Sequence, residues 1–358
     1  MGQPGFFDLD RRYEGLDAKN DPLTAIAAAV PFETFRPKLR AALVVGGLRA
    51  GDAERKSAAG RKPWDEVMMF KALVLQALYN LSDDQAEYQL RDRLSFMRFV
   101  GLGMEDTVPD AKTLWLYREA LAKAGAVEEL FVLFDGYLKE HGYLAMGGQI
   151  PGSSPRTDAT IVPVPRQRNS RDDNEAIKSG KTPLAWDKQP AKNRQKDKDA
   201  RWTKKHGRSY YGYKNHIGVD RRHKFVRRYA VSDAAVHDSQ KLADILDPDN
   251  TASDVWADSA YRSREIEEKL AERGLKSRIH RRGVRGRPLG PRQQAANKTR
   301  SKVRARVEHV FGHQETGMGG KLVRTIGLVR AKMKIGMQNL VYNMRRLVTL
   351  ERMAAMTA

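Results

Sequence analysis

Cysteine is absent from the 358 residues, which excludes disulfides, thiol nucleophiles and cysteine-ligated zinc and leaves a reducing compartment permitted. Aromatic residues are sparse at 8%, although 41% of the chain is apolar, enough for a substantial core spread over two or three domains. Long apolar runs are also missing. The best candidate, LTAIAAAVPF at residues 23–32, contains a proline and falls short of the ~18 residues of a membrane span. The opening MGQPGFFDLDRR lacks the apolar stretch of a signal peptide. These absences predict a cytoplasmic protein with no membrane partner.

Acid is scarce in the second half. Lys and Arg total 65 against 44 Asp and Glu, a formal charge of +21. Residues 1–150 carry 19 basic and 22 acidic side chains, so the whole excess lies beyond them. Residues 188–228 hold 15 basic against 3 acidic, and residues 273–308 hold 13 basic against one, Glu308. Such blocks point to a polyanion bound through phosphates.

Hydrophobic periodicity predicts helices from about residue 20 to 145. In WDEVMMFKALVLQALYNL, Val67, Phe70, Leu73, Val74 and Leu78 share one face, and Asp110 and Thr113 precede the run LWLYREALAKAG that Gly125 ends. This region reads as an all-α N-terminal domain, 1–147, with either a helix-turn-helix pair or a packing and dimerisation role. GGQIPGSSPRT marks a glycine and proline boundary at residues 147–157.

Beyond it the pattern changes. DATIV (158–162) reads as a first strand, followed by a polar, aperiodic insertion at 163–208; YYGYKNHIGV (210–219) and KFVRRYAVSDA (224–234) read as the second and third. A short helix, SQKLADIL, leads to a fourth strand, DVWAD, then to the helix SREIEEKLAERG, a fifth strand KSRIH, and a long helix from about Gln293 to Gln314. Three strands, helix, strand, helix, strand, helix is the order of a ribonuclease H-like core, a mixed sheet flanked by helices, here spanning 148–328 with a C-terminal helix at 329–358.

Three acids stand out within that order. Asp158 opens the first strand, Asp258 ends the fourth, and Glu308 sits midway along the long helix. Taken singly, Asp258 reads more readily as a helix N-cap, Asp158 equally as a turn cap, and Glu308 more readily as a solvated helix acid. In this topology two aspartates on neighbouring central strands converge, and a crossing helix adds a glutamate. Three hard oxygen donors suit one or two Mg²⁺ ions, with Mn²⁺ as a substitute. Two such ions act at a phosphodiester.

The segments TDATIV, HDS, VWADSAY and RVEHVFG, with FFDLDRRYEGLDAKNDPL, GRKPWDEVMMFKAL and VPDAKTLWLYRE before them, resemble bacterial insertion-sequence transposases of the DDE class, the Insertion Sequence Five (InsH-type) group. The likeness spans nearly the whole chain. It implies a catalytic, metal-binding triad of Asp158, Asp258 and Glu308, with Arg304 at the signature arginine position. Ser301 stands where that signature has tyrosine, and Glu315 where it has a phosphate-holding lysine, with Lys321 as a substitute. Arg201, Lys204, Lys205, Arg208 and Lys214, and then Arg281, Arg282, Arg285 and Arg287, would line a phosphate track on double-stranded DNA. Trp202 is suited to stacking on unpaired bases, and His237 to an accessory role. The implied activity is cutting at terminal inverted repeats and joining of 3′-hydroxyl ends to target DNA, by a homodimer at the nucleoid. A nuclease of the same fold without joining, and a non-catalytic DNA-binding derivative, are the alternatives.

Overall fold

A computed structural model describes residues 8–49, 62–152, 161–205, 207–284, 286–319 and 324–357. Asp158, Arg285 and Lys321 lie outside the described residues. The chain divides into two compact units, residues 1–134 with 340–358, and residues 135–339.

The first unit is helical: α1 (Asp8–Ala18), α2 (Pro22–Ala29), α3 (Arg36–Val45), α4 (Glu66–Tyr79), α5 (Asp83–Asp92), α6 (Leu94–Val100), α7 (Ala111–Lys123) and the start of α8 (Ala126–Glu140). Local chemistry sets their ends. Asp65 accepts the amides of Val67 and Met68, both at 2.9 Å, to open α4, and Asn80 closes it in the left-handed region at φ +51°. Ser82 and Gln85 form a reciprocal capping box on α5, and Asp110 accepts the Thr113 amide at the start of α7. A cluster of Phe32, Phe35, Phe70 and Phe99 fills the core, with ring centroids 5.1–6.5 Å apart. Buried Glu66 is held by Arg36, Arg40 and Arg49, the compensation an interior carboxylate requires.

The second unit is built on a mixed sheet. Its strands are β1 (Gln149–Gly152), β2 (Ile161–Pro163), β3 (Arg201–Lys205), β4 (Arg208–Asp220), β5 (Val226–Asp233), β6 (Asp254–Val255) and β7 (Lys276–Ser277). The long strand β4 pairs antiparallel with β1 and β2 along one edge and with β3 and β5 along the other. On its far side β1 pairs parallel with β6, which pairs parallel with β7. Gln149–Gly152 is thus a central strand where the sequence reads as a boundary loop; its glycine and proline resemble linker chemistry, and only pairing on both edges reveals it. Gly152 pairs with Ile217 and Ile161 with Lys214, so β4 offers just two residues, Asn215 and His216, between anchors that stand nine residues apart in sequence.

The polar insertion at 163–208 is also more ordered than its composition predicts. It contains α9 (Arg171–Lys178), α10 (Leu184–Asp187) and α11 (Pro190–Arg194) before β3. Asp197 anchors it: its carboxylate accepts the Tyr213 hydroxyl at 2.8 Å and the Ala200 amide at 2.9 Å, while its carbonyl accepts the Tyr211 hydroxyl at 3.1 Å. Both tyrosines belong to the core beside Val162, Val231 and Ile335.

After β5 come α12 (Leu242–Ile245), α13 (Arg264–Glu272), α14 (Pro291–Gly312) and α15 (Leu328–Ala355). Helix α14 packs on β1 so closely that a methyl group at Gly152 would stand 2.2 Å from Val307 Cγ2. Among the described residues, no helix is long and apolar enough to cross a membrane.

Candidate active site

Strand β6 is short, but its ladder continues past its assigned end. Trp256 N donates to Gln149 O at 2.9 Å, and Ala257 O accepts from His280 N at 3.0 Å. Asp258 therefore begins where the parallel ladder stops, at the carboxyl end of a central strand. That is the ligand-binding edge of open α/β sheets. Val255, Ala257 and Tyr261 anchor the segment in an apolar cluster with Leu242, Leu270 and Ile279.

Asp258 is 6% exposed, and its Oδ1 accepts the Ala260 amide at 2.7 Å, capping the short 3₁₀ turn Ser259–Tyr261. The N-cap and the buried acid are thus the same residue. Burial pushes its carboxyl above the ordinary range; the Ala260 amide, Arg304 and Lys205 pull it down, and Asp238 pushes it up. Asp258 is thus a buried carboxylate under the charge of Arg304, Lys205 and a second acid, Asp238, the kind of environment that makes a candidate functional site.

Arg304 and Glu308 stand one turn apart on α14, where Arg304 Nη2 donates to Glu308 Oε1 at 2.6 Å. Arg304 is 7% exposed, and its buried Nε meets no hydrogen-bond acceptor among the described residues. Its charge reaches both Asp258 and His280. Ser301, one turn before Arg304, shares a 3.3 Å hydrogen bond with His280 Nε2. Burial, reinforced by Arg304 and Arg300, holds the His280 imidazole below its usual pKa. Glu315 lies in a π-helical turn, His313–Gly317, that continues α14.

A polar line beside Asp258 is only partly visible in sequence. Lys214 and His216 alternate on one face of β4, and Ser232 faces Lys214 across the ladder to β5. Lys214 Nζ lies 3.3 Å from Asp238 Oδ1 and donates to Val236 O at 2.7 Å. The Ser232 hydroxyl donates to Asp233 O at 2.9 Å, which leaves its oxygen to accept from His216 Nε2 at 2.8 Å. His216 Nδ1 then carries a lone pair, 3.7 Å from Asp238 Oδ1. Burial lowers the His216 pKa to about 4. His216 and Ser232 escape sequence reasoning, because an alternating strand histidine reads as core; the period-two spacing Lys214, His216 is the one signal for them.

The basic residues divide by environment. Lys204, Arg208, Arg281, Arg282 and Arg287 are exposed, and Lys205 is half-buried. Arg201 is turned inward, donating to the carbonyls of Lys198, Ala200 and Ile177. Two of the three acids of the 188–228 block serve the interior, Asp197 as above and Asp220 by accepting from His223 N, Phe225 N and Arg227 Nε, while exposed Asp199 accepts the Leu328 amide at 2.8 Å. Trp202 is 44% exposed, with Tyr211 at 5.2 Å and the Arg166 guanidinium at 5.8 Å from its ring centroid. His237 caps the turn Asp238–Lys241 through Nδ1, which accepts the Ser239 amide at 3.3 Å.

Among the described residues no three acid or imidazole side chains form a ready metal cluster. Asp258 and Glu308 are two hard oxygen donors, a set that suits Mg²⁺ or Mn²⁺ and not a soft ion.

A family model described as Transposase DDE domain matches residues 157–344, and one described as Transposase domain (DUF772) matches residues 11–120. No solved structure matches the chain.

Proposed function

The chain belongs to the transposase DDE-domain family, and from that membership we propose that it cuts DNA at terminal inverted repeats and joins the freed 3′-hydroxyl ends to target DNA, as in the Insertion Sequence Five group. Asp158, Asp258 and Glu308 would hold two divalent ions, Mg²⁺ with Mn²⁺ as a substitute. When bound, such ions supply charge neutralisation at the scissile phosphate and activation of the attacking oxygen.

The observation that carries this reading is the position of Asp258. It is buried at the carboxyl end of a parallel central strand, under the charge of Arg304, whose guanidinium also holds Glu308. A structural N-cap needs neither burial nor a cation. The meander β1, β4, β5 followed by parallel β6 and β7 is the strand order of a ribonuclease H-like core, in which such an acid meets one from the first strand. Asp158 stands three residues before Ile161, which pairs with Lys214.

The chain's other groups take supporting parts. Arg304 fixes the Glu308 carboxylate. Lys205, with exposed Lys204 and Arg208, continues the cationic surface from Asp258 along the β3–β4 hairpin, where duplex phosphates bind by charge. Two ends cut in concert require a dimer on DNA.

The test is incubation of the purified protein with a supercoiled plasmid carrying the DNA that flanks its reading frame, with Mg²⁺ or Mn²⁺, beside Asp258→Asn. Breaks at the repeats followed by joined products, both absent in the variant, support the reading. Breaks without joining make it a nuclease, and salt-sensitive binding with no breaks leaves only DNA binding.

A further inference from the structure

Between β7 and α14 the chain runs RRGVRGRPLGPR, residues 281–292, with five arginines and no acid. The described residues of this stretch, 281–284 and 286–292, form a finger held by hydrogen bonds. At its tip Val284 and Arg287 exchange two backbone hydrogen bonds, of 3.3 and 2.9 Å, and Gly286 adopts φ +78°, a conformation that favours glycine. Both legs are tied to α14. Asn297 accepts the Arg281 amide at 3.0 Å and donates to the Arg281 carbonyl at 2.8 Å, while Gln294 donates to the Leu289 carbonyl at 2.7 Å.

The root of the finger is tied to the candidate active site. His280 donates its amide to Ala257, the residue before Asp258, and its ring meets Ser301 one turn before Arg304. A short hydrogen-bonded path therefore sets the finger's position relative to Asp258.

Its tip is chemically unlike its legs. Val284 is 67% exposed while Arg281, Arg282 and Arg287 stand exposed around it. A loop that only neutralises phosphates needs no apolar residue at its apex, and its legs need no clamps. An apolar side chain presented rigidly among arginines has the chemistry of a wedge: cations grip the phosphates on either side, and the aliphatic group enters the base stack. Clamping the legs in advance lowers the ordering cost on binding.

We propose that Val284, held on a finger that is clamped at Arg281 and Leu289, is a DNA-distorting wedge that unstacks a base step beside the phosphate presented to Asp258. The proposal rests on the transposase reading of that site. Its ligand is duplex DNA, and its consequence is a bent or opened step that exposes the phosphate to cutting.

The experiment uses the full-length protein and duplexes of the flanking DNA carrying 2-aminopurine at successive positions around the cleavage point, with binding and cleavage followed in parallel. Fluorescence should rise on binding at one or two adjacent steps. Val284→Ser, an exposed substitution checked by its thermal melting, should bind normally, lose that rise and cut at least about tenfold more slowly, since unstacking a step costs a few kcal/mol. A mismatch placed at the same step should restore its cutting. Binding and cleavage by the wild type with no rise at any position overturns the wedge and leaves the transposase reading intact, as does an undiminished rise with Val284→Ser. Failure of the wild type to bind or cut these duplexes overturns both.

Discussion

Arg304 donates to Glu308 at 2.6 Å across one turn of α14 while its charge also acts on Asp258, so a single guanidinium ties together two acids from different elements. Replacing it by methionine removes that tie and leaves Glu308, whose side chain is 26% exposed, without its partner. The expected loss is about 1–3 kcal/mol of stability, below the 3–5 kcal/mol of a fully buried pair. Cleavage should fall further than stability does. Arg304→Lys should recover much of the stability and little of the cleavage, because an ammonium cannot reproduce the guanidinium fork. Urea unfolding and plasmid cutting check the two; a methionine variant as stable as the wild type would sink the argument.

His216 predicts a pH dependence. Its folded pKa is lowered to about 4, against about 6.5 in an unfolded chain. A histidine so depressed takes its proton first in the unfolded state, so stability falls as pH drops from about 6.5 towards about 4. Buried Asp258, whose pKa is raised, has the opposite sign in the carboxylate range. The difference between wild type and His216→Gln isolates the histidine. That difference should shrink steadily between pH 7 and pH 4.5 in urea melts, by at most about 3 kcal/mol. A constant difference would mean that the imidazole is not held neutral by its burial and by its Ser232 bond.

Much of this was legible in the chain. Asp110 announces its helix by capping chemistry that acts within three residues, and the structure places the cap there; Asp65 and Ser82 cap α4 and α5 by the same local chemistry. Strands β4 and β5 show in their β-branched and aromatic residues. What escaped depends on partners distant in sequence. QIPG looks like linker until Gly218 and Ile217 pair with it, and the insertion looks aperiodic because Asp197, not an apolar stripe, organises it. Asp258 was legible as an acid in an odd place, yet neither its double role as cap and buried charge nor the His216–Ser232 bond follows from spacing. Asp158 lies outside the described residues, so its relation to the other two acids rests on the family pattern.

Two glycines of the central sheet should tolerate no side chain, with different severities. A methyl at Gly218 would stand 1.9 Å from the Ile245 carbonyl oxygen, and one at Gly152 would stand 2.2 Å from the Val307 side chain. Backbone cannot turn aside, whereas a valine can partly repack. Gly152→Ala should therefore cost about 1–3 kcal/mol, the range of an overpacked core, and Gly218→Ala more. Adding Val307→Ala should rescue the first variant and leave the second unchanged. Thermal melts of the four proteins decide it, and equal losses for the two single variants would contradict this account of the packing.

Asp258→Asn separates stability from function. Asparagine keeps the cap on Ala260, since it serves as well as aspartate at that position. It also removes a carboxylate whose burial opposes ionisation. That penalty grows as pH rises through the ordinary carboxylate range and is complete above the raised folded pKa, so at pH 7 the variant should equal or exceed the wild type's stability. Divalent ions should reverse the order: Mg²⁺ or Mn²⁺ bound to the native state stabilises the wild type in proportion to its occupancy, and the variant should gain little. Cleavage should vanish in the variant under both metals. Urea titrations with and without Mn²⁺ provide a readout independent of activity. A variant that loses stability without metal would make Asp258 a structural cap first, and one that gains as much from Mn²⁺ as the wild type would remove Asp258 from the metal-binding set.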